Sequence, residues 1–363
     1  MVIKSVDLQN YRNYEYLSME FDDNINIIYG DNAQGKTNIL EALYVCATSK
    51  SHRSNKDKEI IKLGEEESHI KVFVKKNDIN YRIDMHLKQN KSKGIAVNGI
   101  PIKKAVELFG IINIVFFSPE DLNIIKNGPA ERRRFIDMEL SQLDKIYLSN
   151  LINYNKVVNQ RNKLLKELSF SYSKEMMDTL DIWDIHLVKY GKELIKQRIE
   201  FVKSINNLVG EIHRKLSGDK EKLCVEYVPC IDCDRFGEEV YRHRERDIKL
   251  KSTSLGPHKD DMIFYINDKD VRKYGSQGQK RTAALSLKLA EIELVKQIIH
   301  DTPVLLLDDV LSELDSNRQN FLLNSIGGIQ TVVTCTGLDE FINNRFSINK
   351  IFKVVEGTVT NEN

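Results

Sequence analysis

The sequence is poor in the features that mark secreted, membrane or fibrous proteins. Among 363 residues it has only 5 cysteines, 6 prolines and 1 tryptophan, and its 54 basic side chains nearly balance 53 acidic ones. A small, odd number of cysteines in a chain long enough to form its own core does not indicate a disulfide framework. Apolar segments such as Val304–Leu307 are far shorter than a bilayer span, and no long apolar segment opens the chain. We therefore expect a reduced, cytoplasmic protein without a membrane span or secretory signal.

The net charge of +1 conceals an uneven distribution. Residues 126–215 carry 17 basic and 12 acidic side chains, whereas residues 301–363 carry 4 and 9. Such asymmetry is compatible with a nucleic-acid-binding face on an otherwise neutral protein. The candidate DNA contacts are Lys50, Arg53, Arg132, Arg133 and Arg134. Each of them could equally lie on a solvated helix face or in a local ion pair.

The spacing of apolar residues divides the chain into three segments. Residues 1–125 and 251–363 contain short strand-like runs and a few helices, which predicts an α/β architecture of mixed sheets with helices. Residues 126–250 are mainly helical: no proline occurs between residues 130 and 228, and apolar residues from Ile185 to Leu216 recur at spacings of three, four or seven. This stripe predicts a long helix that packs on a partner helix before it. We expect one α/β domain with a helical domain inserted into it.

A glycine-rich loop lies between a predicted strand and a predicted helix near the start of the chain. Its residues are Gly30, Asp31, Asn32, Ala33, Gln34, Gly35, Lys36 and Thr37, which fit the phosphate-loop pattern G-x-x-x-x-G-K-[ST] at every fixed position. The loop turns backbone N–H groups inward, and the following helix points its positive end at a phosphate. Lys36 would reach the β- and γ-phosphates of a nucleoside triphosphate such as ATP, and the Thr37 hydroxyl would bind Mg²⁺.

A second motif supplies the carboxylates that such a site needs. Val304–Leu307 is uniformly apolar, as in a parallel strand buried on both faces, and Asp308 and Asp309 follow it. Ligands bind at the carboxyl edge of such sheets. Asp308 would therefore hold Mg²⁺, and Asp309 would orient or deprotonate the attacking water. The strand begins 267 residues after Thr37, so the segment between the two motifs leaves room for the inserted domain.

Two further motifs resemble those of the ABC ATPase superfamily. Ser276-Gln277-Gly278-Gln279 opens an apolar helix and resembles the signature motif, and Ser312–Asp315 after the carboxylate strand resembles the D-loop. The resemblance implies that Ser276, Gly278 and Gln279 bind the γ-phosphate held by a second subunit, and hence an ATP-dependent homodimer. The chain has Asp309 where this superfamily usually has a catalytic Glu, and it has no clear glutamine loop or switch histidine. We therefore expect weak, slow ATP hydrolysis, with Asp309, Asp308 and Lys36 as its catalytic residues.

The whole chain resembles a narrower group, the RecF family of bacterial recombination mediators. The segments that carry this resemblance are Leu8–Tyr14, Ser118–Leu122, Arg132–Asp137, Gly256–Asp261 and Ser276–Arg281. The resemblance implies an ABC-type ATPase head of the SMC kind that binds ATP and DNA, with Arg12 beside the nucleotide. It also implies work with RecO and RecR at single-strand gaps, where such proteins support RecA loading, repair, replication and the SOS response.

Other readings remain open at this point. The ATP-binding subunit of a membrane transporter would share both ATP motifs, but it should also have the missing glutamine loop, catalytic Glu and switch histidine. An SMC-like ATPase joined to a metal nuclease would need more than the roughly 50 residues that follow Asp309. A scaffold that binds ATP without hydrolysing it is a further alternative that the sequence does not exclude. Cys224, Cys230 and Cys233 are too few for a complete zinc site.

Overall fold

The computed structural model describes residues 1–54, 56–338 and 348–362, and the chain divides into two compact units. Unit 1 comprises Met1–Asp121 and Glu291–Asn363, and unit 2 comprises Leu122–Ala290. Unit 2 thus begins at residue 122 rather than 126 and ends at residue 290 rather than 250. The strand Asp261–Ile266 belongs to unit 2 because it pairs with Leu223–Val228.

The first sheet of unit 1 is antiparallel. Its spatial order is β2-β1-β4-β5-β6-β7, and the strands are β1 (Val2–Tyr11), β2 (Tyr14–Glu20), β4 (Glu67–Lys76), β5 (Ile79–Lys88), β6 (Gly94–Val97) and β7 (Ile100–Pro101). Burial alternates along β4, so that Ser68, Ile70 and Val72 face the core while Glu67 and His69 face outward. This alternation is the expected pattern for a sheet with one solvated face.

The second sheet of unit 1 is parallel except at one edge. Its order is β15-β14-β3-β13-β12-β8, and the strands are β3 (Ile25–Tyr29), β8 (Ile114–Phe117), β12 (Val304–Asp308), β13 (Thr331–Cys335), β14 (Lys350–Val355) and β15 (Thr358–Asn361). All five residues of β12 are buried, as the uniform apolar pattern predicts. β12 lies between β8 and β13 and is parallel to both. The carboxyl ends of β3, β12 and β13 therefore meet at one edge of the sheet.

Three helices accompany these sheets. They are α1 (Lys36–Thr48), α9 (Gln277–Ile299) and α10 (Ser316–Ser325). α1 directly follows the glycine-rich loop, where the sequence predicts a helix, and almost all of its residues are buried. α9 begins in unit 2 and ends in unit 1.

Unit 2 is mainly helical, as predicted, with one small sheet. Its other helices are α2 (Leu122–Lys126), α3 (Pro129–Leu143), α4 (Lys145–Leu168), α5 (Lys174–Leu216), α6 (Phe236–Arg242), α7 (Arg244–Leu250) and α8 (Val271–Tyr274), and its strands are β9 (Leu223–Val228), β10 (Asp261–Ile266) and β11 (Lys269–Asp270). α4 and α5 form the expected pair, joined by residues 169–173.

The buried stripe of α5 differs from the predicted one. Ile185 is 67% exposed and Ile199 is 39% exposed, whereas Asp184 and Arg198 are buried. These polar residues are tolerated because each is paired, as buried charges must be. Asp184 accepts a hydrogen bond from Nε of Arg161 at 2.6 Å, and Arg198 donates one to the Pro257 carbonyl at 2.6 Å.

Across the described residues, we find no helix that combines the length and the apolar character needed to cross a bilayer.

Candidate nucleotide site

The glycine-rich loop connects β3 to α1 at the carboxyl edge of the parallel sheet. Its first glycine, Gly30, has φ of 152°, and a Cβ there would lie 2.3 Å from the carbonyl oxygen of Val354. Gly35 has φ of 115°, and a Cβ there would lie 2.5 Å from the side-chain nitrogen of Asn13. Only glycine fits either position, because left-handed backbone and close approach of another chain segment coincide there. The loop is therefore held in a fixed, tightly packed conformation.

The turn between β1 and β2 supports this loop from outside. Nδ2 of Asn13 donates a hydrogen bond to the Gln34 carbonyl at 3.0 Å, and the Tyr14 hydroxyl donates one to the Gly35 carbonyl at 3.1 Å. Asn38 on α1 in turn donates to Oδ1 of Asn13 at 2.8 Å. The N-terminal motif that carries the family resemblance thus braces the loop through Asn13 and Tyr14.

Lys36 is the first residue of α1 and is only 7% exposed. Its ammonium group donates hydrogen bonds to the carbonyls of Gly30 at 2.5 Å and Asp31 at 2.8 Å. Burial lowers the pKa of Lys36 below its ordinary value, and the nearby carboxylate of Asp309 partly opposes that shift. The ammonium group is therefore held at the centre of the loop, where a bound phosphate would neutralise its positive charge.

Thr37 and Asp308 meet although 271 residues separate them. The Thr37 hydroxyl donates a hydrogen bond to Oδ1 of Asp308 at 2.8 Å, and the Thr334 hydroxyl donates to the same oxygen at 2.8 Å. Thr334 lies on β13, next to β12. Thr334 belongs to no motif in the sequence, and the only signal that points to it is its place near the end of the next parallel strand.

Asp309 follows β12 and has a left-handed backbone with φ of 52°, which is uncommon for a residue other than glycine. Its N–H donates a hydrogen bond to the Thr334 hydroxyl at 3.0 Å, which anchors the turn. Partial burial raises the pKa of Asp309 above its ordinary value, while the positive charge of Lys36 acts in the opposite direction. A carboxylate with a raised pKa beside a buried lysine is typical of a functional site.

These groups surround one cavity of about 350 Å³. The residues that line it are Asn32, Ala33, Gln34, Gly35, Lys36, Thr37, Asn38, Arg53, Asp308, Asp309 and Thr334. The predicted phosphate loop and the predicted carboxylates are thus brought together. Arg53, which the sequence analysis grouped with candidate DNA contacts, lies in the cavity wall and donates a hydrogen bond to Asn38 at 2.9 Å.

Arg12 does not line this cavity. Its guanidinium forms two hydrogen bonds with the buried carboxylate of Glu41 on α1, at 2.8 and 2.6 Å, and a third with the Glu59 carbonyl at 2.6 Å. These hydrogen bonds hold the pKa of Glu41 below its ordinary value although burial alone would raise it. In this structure Arg12 connects the end of β1 to the helix that follows the phosphate loop.

The signature-like motif lies in unit 2, at the N-terminus of α9. Ser276 is the residue before the helix; its hydroxyl accepts a hydrogen bond from the N–H of Gln279 at 3.2 Å, and Oε1 of Gln279 accepts one from the N–H of Ser276 at 2.8 Å. This reciprocal arrangement is a capping box. Ser276 and Gly278 are exposed, so the positive end of a 23-residue helix faces solvent.

The structure contradicts the proposed role of Arg132 as a DNA contact. Arg132 is only 3% exposed, and its guanidinium pairs with both carboxylate oxygens of Asp261, at 2.6 and 3.0 Å. It also donates to two backbone carbonyls, so its donors already have protein partners. Arg133 donates to the Asp260 carbonyl at 2.7 Å and is half-buried, whereas Arg134 and Lys50 are exposed.

Two cysteines of unit 2, Cys230 and Cys233, have raised pKa values. The Cys230 thiol donates a hydrogen bond to the Gly256 carbonyl at 3.3 Å, and burial raises its pKa to about 11. Burial also raises the pKa of Cys233. Metal ligation requires the thiolate. Among the described residues, no group of potential metal ligands includes a cysteine.

Comparison with known proteins shows the structural class to which the chain belongs. The family described as RecF/RecN/SMC N terminal domain matches residues 2–360. An Smc head domain from Pyrococcus furiosus superposes with a TM-score of 0.57 at 17% identity, over 99% of this chain and 95% of that one, which supports the fold alone. The chain therefore has the fold of an SMC-like ABC ATPase head, as the sequence predicts.

The particular family follows from closer relatives. The protein named DNA replication and repair protein RecF from Lachnospira eligens is 71% identical over the full length of both chains, and the one from Agathobacter rectalis is 62% identical over 99% of both. A structure described as the recombination mediator protein RecF-ATP in the RecFOR pathway superposes with a TM-score of 0.92 at 36% identity, over 99% of this chain and 97% of that one. This chain belongs to the RecF family, a family of DNA replication and repair proteins.

Proposed function

We propose that this chain binds ATP with Mg²⁺ in the cavity at the carboxyl edge of the parallel sheet. The observation that carries the proposal is the hydrogen bond between Thr37 and Asp308, 2.8 Å long, beside the buried ammonium group of Lys36. These are the groups that a nucleotide with its metal ion needs, and they converge from distant parts of the chain. A family member 36% identical to this chain has been described in a RecF–ATP structure.

The donor set fits Mg²⁺ in its chemistry. A threonine hydroxyl and a carboxylate are hard oxygen ligands, which Mg²⁺ prefers over nitrogen or sulfur. Thr37 and Asp308 would hold the ion, and the ion would neutralise charge on the β- and γ-phosphates. Lys36 and the N–H groups of the loop would bind the remaining phosphate charge, and Arg53 would contribute a second cation from the cavity wall.

Hydrolysis on this proposal is slow. Asp309 would orient or deprotonate the attacking water, but its side chain is one methylene shorter than the usual glutamate. Its left-handed backbone fixes the direction of the side chain, which limits how far it can adjust. A weak ATPase of this kind suits a switch that changes state once per nucleotide rather than a motor.

We further propose that ATP joins two copies of the chain. Each nucleotide would be held by Lys36 and Thr37 of one copy and by Ser276, Gly278 and Gln279 of the other. The exposed, capped N-terminus of α9 supports this step, because helix N-termini bind phosphate. Each charge-assisted hydrogen bond contributes about 1.5–3 kcal/mol, so a few such bonds at each site could decide whether the dimer forms.

The test of the dimer is Ser276→Arg, measured by analytical ultracentrifugation with and without ATP and Mg²⁺. We expect the wild-type chain to dimerise only with nucleotide, and the variant to bind nucleotide but remain monomeric. The variant also loses its helix cap, at a cost of about 1 kcal/mol, so its thermal unfolding is measured in parallel. Ser171→Arg, at an exposed serine in the loop between α4 and α5, is the matched control. Normal dimerisation of folded Ser276→Arg would overturn the proposed contact.

The cellular role proposed on family grounds is that of a recombination mediator. It would bind DNA at single-strand gaps, work with RecO and RecR, and support RecA loading, repair, replication and the SOS response. Of the original DNA candidates, Lys50, Arg53 and Arg134 have exposed side chains, and Arg53 also lines the nucleotide cavity. A transporter subunit would show no ATP-dependent affinity for DNA, and a non-hydrolysing scaffold would bind ATP without releasing phosphate. Measurements of DNA affinity with and without ATP, together with phosphate release, therefore separate these alternatives.

A further inference from the structure

Three metal-binding side chains lie together on the outward face of the first sheet, outside the nucleotide cavity. Glu67 and His69 lie two residues apart on β4, and His86 lies directly opposite His69 on β5. The two imidazole rings stack with their centres 4.1 Å apart and their planes 19° apart. One ligand atom from each of the three side chains lies within 4.8 Å of the others.

The distances fit a single small cation. Nε2 of His86 lies 3.0 Å from Oε2 of Glu67, and Nε2 of His69 lies 3.7 Å from Oε1 of the same carboxylate. Two ligand atoms bound to one tetrahedral Zn²⁺ are about 3.3 Å apart, because each bond is about 2.0–2.1 Å long. The two separations bracket that value, although they end on different oxygens of Glu67, and all three ligand atoms lie within 4.8 Å of one another. Rotation of the side chains about their own bonds is therefore what binding of all three to one ion requires.

The surroundings leave the cluster open to solvent. His86 pairs with Gly94 on its other side, which presents no side chain. A cavity of about 400 Å³ adjoins both histidines and is also lined by Gln9, Gly94 and Pro101. A bound ion would therefore keep a coordination position for water, as zinc does when the protein supplies three ligands.

The carboxylate of this cluster already attracts cations. Nζ of Lys88 lies 2.9 Å from Oε2 of Glu67. The ammonium group of Lys88 therefore already neutralises part of the charge of this carboxylate. A divalent ion has to compete with this ammonium group for the same oxygen.

We propose that Glu67, His69 and His86 bind one divalent transition-metal ion of the zinc type and so link β4 to β5. Two imidazoles and one carboxylate favour such an ion over Mg²⁺ or Ca²⁺, which take oxygen ligands. The site is separate from the proposed nucleotide site, since none of its three residues lines that cavity. The proposal therefore stands whether or not the chain binds ATP.

The first test titrates the nucleotide-free chain with Zn²⁺ in excess Mg²⁺ by isothermal calorimetry. We expect one site that His86→Ala and His69→Gln weaken by roughly 10–100-fold or more, since even outer-shell changes have effects of that size. The matched control is His300→Ala, at an exposed histidine that belongs to no metal-ligand group among the described residues. Absence of Zn²⁺ binding to the wild-type chain, or unchanged binding to His86→Ala, would overturn the proposal. The latter result would assign the ion to other ligands such as the thiols.

The second test removes the competing ammonium group. Lys88→Met should tighten Zn²⁺ binding by roughly threefold to tenfold, the size of a surface charge interaction. This substitution retains all three ligands and most of the apolar part of the lysine side chain. The test therefore does not rely on a variant whose fold is impaired. Weaker binding to Lys88→Met would mean that Glu67 does not take part in the site.

Discussion

At the scale of single residues, the environment of Asp309 determines what the nucleotide site can do. Its carboxyl group lies in a partly buried position, its pKa is raised by that burial, and the nearby Lys36 holds the shift in check. Asp308 differs: it accepts hydrogen bonds from two hydroxyl groups, those of Thr37 and Thr334. Two adjacent carboxylates thus have separate environments, which supports the proposed roles of Asp308 in metal binding and Asp309 in proton transfer.

Asp309→Asn should therefore abolish hydrolysis while ATP binding persists. A positioned general base contributes about 10²–10⁴-fold, so phosphate release should fall by at least about 100-fold. In the wild-type chain the ionised carboxylate is the active form, and its pKa is raised. As the pH is lowered, the rate of ATP hydrolysis should therefore begin to fall at a higher pH than it would with an aspartate of ordinary pKa. Phosphate release and nucleotide binding, measured on the same samples across pH, check both expectations. Asp308→Asn serves as the contrast, since it should weaken ATP binding in Mg²⁺ as well.

Single residues also mark where sequence reasoning fails. The run Arg132–Arg134 reads as one basic cluster, yet Arg132 is buried against Asp261 and Arg134 is exposed. On a helix, successive residues point in directions about 100° apart, so three adjacent arginines cannot share one surface. The partner of Arg132 lies on β10, and no local pattern identifies it. Predicting DNA contacts from charge runs therefore fails where the tertiary partner is distant in sequence.

At the scale of elements, α5 shows that an apolar stripe can mark a helix correctly and still misassign part of its buried face. The residues of the predicted stripe that are buried are Ile195, Val202, Ile205 and Val209. Ile185 and Ile199 of the same stripe are exposed, whereas the polar Asp184 and Arg198 are buried. Apolar spacing reports the helical period and so predicts the helix and its C-terminus at Leu216. It misses core positions that paired polar residues and a glycine occupy. The pairs that make them acceptable, such as Asp184 with Arg161, become visible only in three dimensions.

Gly191 gives a direct test of this packing. Alanine normally stabilises a helix interior by about 1 kcal/mol relative to glycine. Here a Cβ would lie 2.5 Å from Cε1 of Phe236 and 3.2 Å from Tyr154. We therefore expect Gly191→Ala to destabilise the protein by about 1–3 kcal/mol, the usual cost of overpacking a core. Chemical denaturation of the variant measures this change.

Gly237→Ala is the matched control for that prediction. Gly237 also lies in a helix, α6, but a Cβ there would meet its nearest neighbour, Val188, at an ordinary 3.7 Å. Its free energy of unfolding should stay unchanged or rise by up to about 1 kcal/mol. If the two variants behaved alike, close packing around Gly191 would not be the reason for its glycine.

At the scale of the whole molecule, the interrupted domain was predictable and its boundary was not. A phosphate loop near the start and a carboxylate strand near the end must meet in one site, so the intervening segment had to form an insertion. β10 belongs to the inserted unit because it pairs with β9, from which two α-helices separate it in sequence. Strand pairing over such a distance leaves no local mark in the sequence.

The chain as a whole is neutral, with a net charge of +1, and this sets how it should bind DNA. A neutral monomer offers only a modest basic surface, whereas an ATP-bound dimer would present two such surfaces to one duplex. We therefore expect DNA affinity to rise with ATP and to fall steeply with salt, because phosphate contacts release counterions. Fluorescence anisotropy on gapped, duplex and single-stranded DNA, with and without ATP at two salt concentrations, measures both dependences. Ser276→Arg should lose the ATP-dependent gain and keep the weaker basal affinity, while Ser171→Arg should behave as wild type. Binding that ignores ATP would separate DNA recognition from dimerisation, and binding that ignores salt would rule out phosphate contacts as its main source.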